Sequence, residues 1–325
     1  MSAPIFVDHI LDGAADPTVI RNRETGEWWM YYTNRRAHHD GPGWEWICGS
    51  PIGIATSPDG LTWSYKGTVS GLDRPEDTGL NTLWAPEVIF AGGEYHMYLT
   101  YFAGAPHSFD GIKRDIAHFT SPDLVTWTRH AVLPLTQPNV IDACVARAPE
   151  GGYRLWYKDE DDGASTWTAT SPDLYNWTLD KRVLHGRPDA PPHEGPNVFT
   201  LGGHHWLITD EWRGQAVYRS SDMRNWTRQG LILDTPGNDP MDRCFARHAD
   251  VVVLGQGMDD LAEMGGYAEA DEAALFYFTH PEWDEAAKDI PETGAERRTV
   301  VHVARVWVED GVLKADRDVT GVRLS

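Results

Sequence analysis

Ser57-Pro-Asp-Gly-Leu-Thr-Trp63 returns as Ser121-Pro-Asp-Leu-Val-Thr-Trp127, as Ser171-Pro-Asp-Leu-Tyr-Asn-Trp177 and as Ser220-Ser-Asp-Met-Arg-Asn-Trp226. The tryptophans are 64, 50 and 49 residues apart. Self-similarity at such a period means one supersecondary unit repeated, each copy burying its apolar face on the next. Every copy follows a short β-like run (Ile52–Thr56, Ile116–Thr120, Thr166–Thr170, Ala216–Arg219) and precedes another. Ser, Pro and Asp supply turn chemistry between two strands, over which the tryptophan packs back. These copies read as hairpin staples rather than as a site.

A second hairpin lies upstream of each staple. Asp16-Pro-Thr-Val-Ile leads across a turn to Trp28–Thr33, Ala85-Pro-Glu-Val-Ile to Tyr95–Thr100, and Asp142-Ala-Cys-Val-Ala to Tyr153–Tyr157. Gly195-Pro-Asn-Val-Phe leads to His205–Thr209, and His248-Ala-Asp-Val-Val to Ala274–Phe278. Aligned on the valine, the units open at 16, 85, 142, 195 and 248, at spacings of 69, 57, 53 and 53. Two hairpins make a four-stranded sheet, and five sheets without intervening helix predict an all-β, five-bladed β-propeller. One such unit takes the whole chain, 1–325, with blades over about 13–70, 84–134, 141–185, 194–234 and 246–315. The fifth blade lacks the staple, and residues 1–12 are expected to help close the ring.

The first strand of each propeller blade lines the central channel, so its opening residues converge: Asp16, Ala85 with Glu87, Asp142, Glu194 and His248. The connections from second to third strand crowd the same face and vary most: Asn34–Pro51, Ala103–Arg114, Asp159–Ser165, Glu211–Gly214 and His280–Arg298. Long loops on one face of a rigid scaffold are where sites form. Carboxylates gathered from distant blades repel one another unless function or a cation requires them. Asp16 alone would read as a turn opener, but Asp142 occupies the same repeat position and Glu194 the one before it.

Composition narrows the partners. The formal charge of −21 and a pI near 4.9 exclude nucleic acid and anionic membrane, which need Lys/Arg footprints. No stretch approaches the roughly 20 apolar residues of a membrane span. The start, Met1-Ser-Ala-Pro-Ile-Phe-Val-Asp-His, has no basic region followed by an apolar run, which predicts a cytoplasmic protein. Cys48, Cys144 and Cys244 are too few and scattered for a disulfide framework or a zinc site. Fifteen tryptophans are many, and flat sugar faces stack on such side chains.

In this setting Asp16-Pro17, Trp84-Ala-Pro-Glu87, Ile141-Asp142, Glu194-Gly-Pro196 and Arg247-His248 resemble, in order and spacing, the motifs of family 43 glycoside hydrolases. That family consists of five-bladed propellers in a superfamily shared with the family 32 fructosidases. The resemblance implies a general base at Asp16, a general acid at Glu194, and at Asp142 a residue that orients Glu194 and raises its pKa. It implies an inverting glycosidase of the α-L-arabinofuranosidase or β-xylosidase type. The start without a secretory signal points to exo action on short plant-type oligosaccharides, since a cytoplasmic enzyme meets imported fragments and not polymers. An inverting enzyme needs room for a water between its two carboxyl groups, and a donor still protonated near neutrality. Trp84 is the candidate stacking platform, and Glu87, Arg247 and His248 are candidates for contacts to substrate. No cofactor is required. In some members of the family the channel histidine sits beside calcium, which makes His248 the metal candidate. The asparagine-rich start and the Arg-Asp-Pro and Glu-Cys motifs of family 32 are missing, and blade three has Asp142-Ala in place of Asp-Pro. A retaining fructosidase-like enzyme and a non-catalytic sugar-binding propeller are the alternative readings. Sugar, linkage and oligomeric state stay open.

Overall fold

Each repeat unit forms one antiparallel sheet with its four strands in sequence order. The computed structural model describes residues 4–136, 138–254, 270–284 and 290–324. The remaining residues, among them 1–3 of the expected closing segment and 285–289 of the His280–Arg298 connection, lie outside the described residues. Blade one comprises β1 (Ala14–Arg21), β2 (Trp28–Asn34), β3 (Ile52–Ser57) and β4 (Ser64–Thr68). Blade two comprises β5 (Thr82–Ala91), β6 (Glu94–Phe102), β7 (Asp115–Ser121) and β8 (Thr128–Val132). Blade three comprises β9 (Val140–Arg147), β10 (Tyr153–Asp159), β11 (Ser165–Ser171) and β12 (Thr178–Leu184). Blade four comprises β13 (Glu194–Leu201), β14 (His204–Asp210), β15 (Gln215–Ser220) and β16 (Thr227–Ile232). Blade five comprises β17 (Arg247–Leu254), β18 (Glu272–Thr279), β19 (Val300–Glu309) and β20 (Val312–Asp316). A four-residue helix, α1 (Gly294–Arg297), stands before β19.

The apolar runs explain the radial order. The first and second strands of each blade are buried along nearly their whole length, because both faces of the sheet pack on neighbouring blades. The fourth strands, such as Ser64–Thr68 and Thr128–Val132, are polar and exposed at the rim. The core therefore lies between blades: Ile20, Tyr31 and Ile52 of blade one meet Val88, Met97, Leu99 and Phe119 of blade two.

The staples are turns, as expected. Ser57 Oγ accepts from Gly60 N–H at 2.8 Å, Asp59 Oδ1 accepts from Leu61 N–H at 3.0 Å, and Trp63 Nε1 donates to Gly60 O at 2.9 Å. The residue after the aspartate takes a left-handed φ: 82° at Gly60, but 66° at Leu124, 71° at Leu174 and 54° at Met223. A side chain there costs about 1–2 kcal/mol. Burial offsets it, since Leu124, Leu174 and Met223 are almost wholly enclosed. Tyr98 of blade two donates to Leu174 O of blade three at 2.9 Å, so a staple also docks its blade on the one before.

Around the channel the blades are tied by one residue per first strand, the residue preceding each aligned valine. Thr18 accepts from Val88 N–H (3.4 Å), Glu87 from Val145 N–H (2.9 Å) and Cys144 Sγ from Val198 N–H (3.2 Å). Asn197 Nδ2 donates to Asp250 Oδ1 at 3.0 Å, and Asp250 Oδ2 accepts from Val19 N–H at 2.7 Å. The circuit passes through all five blades. At the seam between blades five and one, Phe6 pairs with Val301. There Asp8 Oδ2 accepts from Tyr32 Oη (2.5 Å) and Asn34 Nδ2 (3.0 Å).

The ring residues enclose a cavity of about 40 Å³. Burial, and then the nearby Asp250 carboxylate, push the Glu87 carboxyl up to about 8. The folded state thus holds a proton on Glu87 that the unfolded chain releases near the ordinary glutamate value of 4.5. Its contribution to stability is full below that value and is lost as pH rises toward 8. Glu87→Gln keeps the acceptor for Val145 N–H but cannot ionise. Its urea midpoint relative to the native chain should therefore rise steadily from pH 5 to pH 8, by the equivalent of about 1 kcal/mol or more. A difference independent of pH would refute this assignment.

Candidate active site

Each first strand breaks register where it enters the channel: between Ala15 and Thr18, Trp84 and Glu87, Glu194 and Asn197, and Arg247 and Ala249, with the matching break in blade three opposite Trp156 and Lys158. In four blades the bulged residue has a positive φ: Asp16 (48°), Ala85 (40°), Asp142 (59°) and Gly195 (57°). A bulge re-aims a side chain, and strain of this kind gathers at functional sites. Pro17, Pro86 and Pro196 follow it in three blades, where a missing ladder donor costs nothing.

The bulge in blade four is glycine for a steric reason as well. A Cβ on Gly195 would stand 2.7 Å from His248 Cγ. Asp142 Oδ2 accepts the Gly195 N–H at 3.0 Å, which fixes the peptide that carries Glu194. Asp16, Asp142 and Glu194 line one inner pocket of about 160 Å³ together with Trp84 and His248. Asp16 and Asp142 are buried, whereas the Glu194 side chain is 26% exposed and opens to the cleft. His248 Nδ1 lies 3.8 Å from Asp16 Oδ1 and 4.0 Å from Asp142 Oδ2. Burial works against a charged imidazole, but Asp142, Asp16, Glu194 and Asp210 raise its pKa above the usual histidine range.

Four further residues complete the site and were not among the expected ones. Arg35, just past β2, sets Nη2 3.1 Å and 3.3 Å from the two Asp16 oxygens. Lys158 donates to Glu194 Oε2 at 2.9 Å, and Trp212 Nε1 donates to Glu194 Oε1 at 2.8 Å. Asp210 Oδ1 accepts from Trp212 N–H (2.6 Å) and its Oδ2 from His248 N–H (3.1 Å), joining the indole to the next blade. A repeat logic underlies Lys158 and Asp210. Thr33, Thr100, Lys158 and Asp210 each pair with the residue before a bulge and each reach into the following blade. Thr33 and Thr100 cap Ala85 N–H and Asp142 N–H, and Asp210 caps His248 N–H; the lysine reaches the Glu194 carboxylate.

Two expectations are corrected here. Glu194 does not have the raised pKa expected from Asp142. Burial opposes its charge, but the Lys158 ammonium and the Trp212 hydrogen bond hold the carboxyl down to about 2. The proton is favoured instead on Asp142, pushed up to about 6 by burial despite His248, and on Asp210, pushed up to about 7 by burial despite Arg247. Glu87 does not join the pocket. It lies one residue beyond the bulge and its neighbour, in the channel ring, bonded to Val145 N–H.

The outer cleft, of about 560 Å³, shares Arg35, Ile47, Phe109, Glu160 and Glu194 with the inner pocket. Its wall includes Trp44, Trp46, Trp212 and Trp283, with Arg247 beside Trp283 at 5.7 Å. Trp84 donates through Nε1 to Ile47 O (2.8 Å) and stands edge-on to Phe109, itself stacked on Trp44. His38 and His39 face Asp12 and Glu45 rather than the pocket. Among the described residues no three His, Cys, Asp or Glu side chains are grouped to hold a metal ion. With two carboxylates about 4 Å from its Nδ1, His248 fits a charged imidazole better than a direct ligand of calcium. No helix among the described residues is long and apolar enough to cross a membrane.

The family model described as a probable glycosyl hydrolase domain related to family 43 matches residues 4–256. No curated protein sequence matches the chain. Among solved structures it is similar to a thermostable family-43 glycoside hydrolase (18% identity, 100% of this chain and 97% of that one, TM-score 0.66). It is also similar to a family-43 β-xylosidase/α-arabinofuranosidase from a compost microbial metagenome, in complex with xylotriose and calcium-free (15%, 96% and 96%, TM-score 0.65). A third is a family-43 β-1,3-galactosidase with galactodeoxynojirimycin (14%, 98% and 99%, TM-score 0.66).

Gly195→Ala should lower stability by about 1–2 kcal/mol through its backbone conformation alone. It should also shift the imidazole signals of His248, read by NMR beside the urea midpoint. Unchanged signals would mean that the glycine does not seat His248.

Proposed function

The chain belongs to the glycosyl hydrolase family related to family 43, and on that premise we propose that this glycosidase is inverting and cuts a terminal sugar from short oligosaccharides. The observation that carries the reading is the convergence of Asp16, Asp142 and Glu194, from three blades, on one pocket. Asp16, steered by Arg35, is the general base that takes a proton from the attacking water. Glu194, the most open of the three, is the acid that protonates the departing glycosidic oxygen. Asp142 holds the peptide after Glu194 and so aims that carboxyl. Arg247 and Trp84 are proposed to contact sugar, one in the outer cleft and one in the inner pocket. The tryptophans of the cleft offer the flat apolar faces on which sugar rings stack.

The preferred substrates are α-L-arabinofuranosides or β-xylosides. A neighbour with both activities in its name supports that choice, while the β-1,3-galactosidase neighbour marks the rival sugar. A panel of nitrophenyl pentofuranosides, xylosides and galactosides decides between them. Against the glycoside selected, Glu194→Ala and Asp16→Ala should each lose about 10²–10⁴-fold in turnover. Undiminished activity in either variant removes the assignment. Proton NMR of the first-formed anomer should show inverted configuration; a retained one would make Asp16 a nucleophile.

A further inference from the structure

Both oxygens of Glu194 are occupied by donors, Lys158 on one and Trp212 on the other, which is the arrangement of a carboxylate and not of a loaded acid. Lys158 is buried at the cleft wall, 5.5 Å from the Trp212 ring, and it has a second acceptor close by. Its Nζ is 3.5 Å from Glu160 Oε1, while the other Glu160 oxygen lies 2.6 Å from Arg114 Nε. We propose that Lys158 is a positioning residue that gates the proton donor: a sugar entering the cleft moves its ammonium from Glu194 to Glu160, and Glu194 then takes up one proton.

This rests on the reading of Glu194 as the acid. The proton comes from solvent, is held on the freed Oε2, and passes to the glycosidic oxygen as the bond to the sugar breaks. Every element around the carboxyl bears on the switch. Lys158 on β10 and His248 on β17 favour the charged form of Glu194. Asp142 on β9 and Asp210 on β14 are themselves raised by Glu194, the mark of mutual repulsion. Glu160 lines the same space. With the ammonium withdrawn, burial and these three carboxyl groups all oppose the charge, and only the Trp212 hydrogen bond and His248 remain to favour it. The device explains how a site can keep its donor ionised when empty and still deliver a proton when filled.

The test follows the ¹³C shift of the Glu194 side-chain carboxyl with pH in the sugar-free protein, identified by its loss in Glu194→Gln. The pH profile of kcat/KM on the nitrophenyl glycoside selected by the panel is read beside it. In Lys158→Met the Glu194 titration should move up by about two units, and the basic limb of kcat/KM should move up with it. Glu160→Gln, which keeps an acceptor for Arg114 but removes one opposing carboxylate, should not raise that titration and should lower kcat roughly tenfold, because the ammonium has lost its second seat. An unmoved titration in Lys158→Met, or a native kcat in Glu160→Gln, overturns the proposal; the second variant decides if the first fails to fold. If the panel shows no turnover at all, the glycosidase reading fails by itself, and the hold of Lys158 on Glu194 stands or falls on the titration.

Discussion

Every first strand of this propeller carries backbone N–H groups that its own sheet does not use, and the neighbouring blade must accept them. That constraint organises both the fold and the site. At the valine level the acceptors are the ring residues Thr18, Glu87, Cys144 and Asp250. At the bulge level they are Thr33, Thr100, Asp142 and Asp210. A buried N–H left without a partner costs about 1–3 kcal/mol, so the two levels together specify which blade follows which. The active face is built from the upper level. Asp142 and Asp210 are first of all acceptors that hold the next blade, and their place in the pocket follows from that duty.

The repeat explains why so much could be read from the sequence. Staples with fixed turn chemistry and a valine at a constant offset define the blades, and the offset alone aligns Asp16, Ala85, Asp142 and Gly195. The structure gives those four positions the same left-handed bulge. Glu87 departs from the pocket because its offset from the bulge differs from that of Asp16, Asp142 and Glu194. Past the bulge and its neighbour the strand turns the side chain downward into the ring, where it accepts Val145 N–H. The resemblance named the right strand but could not place a side chain across the kink.

Lys158, Asp210, Trp212 and Arg35 were hidden for a different reason. They stand on second strands or in the connections after them, and their roles depend on what the adjacent blade presents. Lys158 extends the apolar run Tyr153–Tyr157 by one residue and looks like its polar end. One signal was available: Lys158 pairs with Ile141 as Thr33 pairs with Ala15 and Thr100 with Trp84, so aligning the second strands would have shown a cation in a slot held by hydroxyl, carboxylate or, in blade five, Phe278. Trp212 gave less warning, since its aim depends on a φ of 57° held by the bond from its own N–H to Asp210.

These omitted residues also change the electrostatics. Asp16, Asp142, Glu160, Glu194 and Asp210 share one small volume in a chain of net charge −21, and their mutual repulsion has to be relieved locally. Two of them have a cation in direct contact at the pocket, Asp16 with Arg35 and Glu194 with Lys158, and Glu160 takes Arg114 from its edge. Asp142 has His248 only at 4.0 Å, and Asp210 spends its oxygens on backbone N–H groups. The two carboxyls that serve as blade acceptors therefore hold a proton more readily than Glu194, which its lysine keeps charged. An empty site in this state costs less than one with a neutral Glu194, because the buried Lys158 ammonium would then lose the nearer of its two carboxylate partners. On the proposed gating, the resting and catalytic states differ by the position of one ammonium and one proton, and not by any rearrangement of the blades.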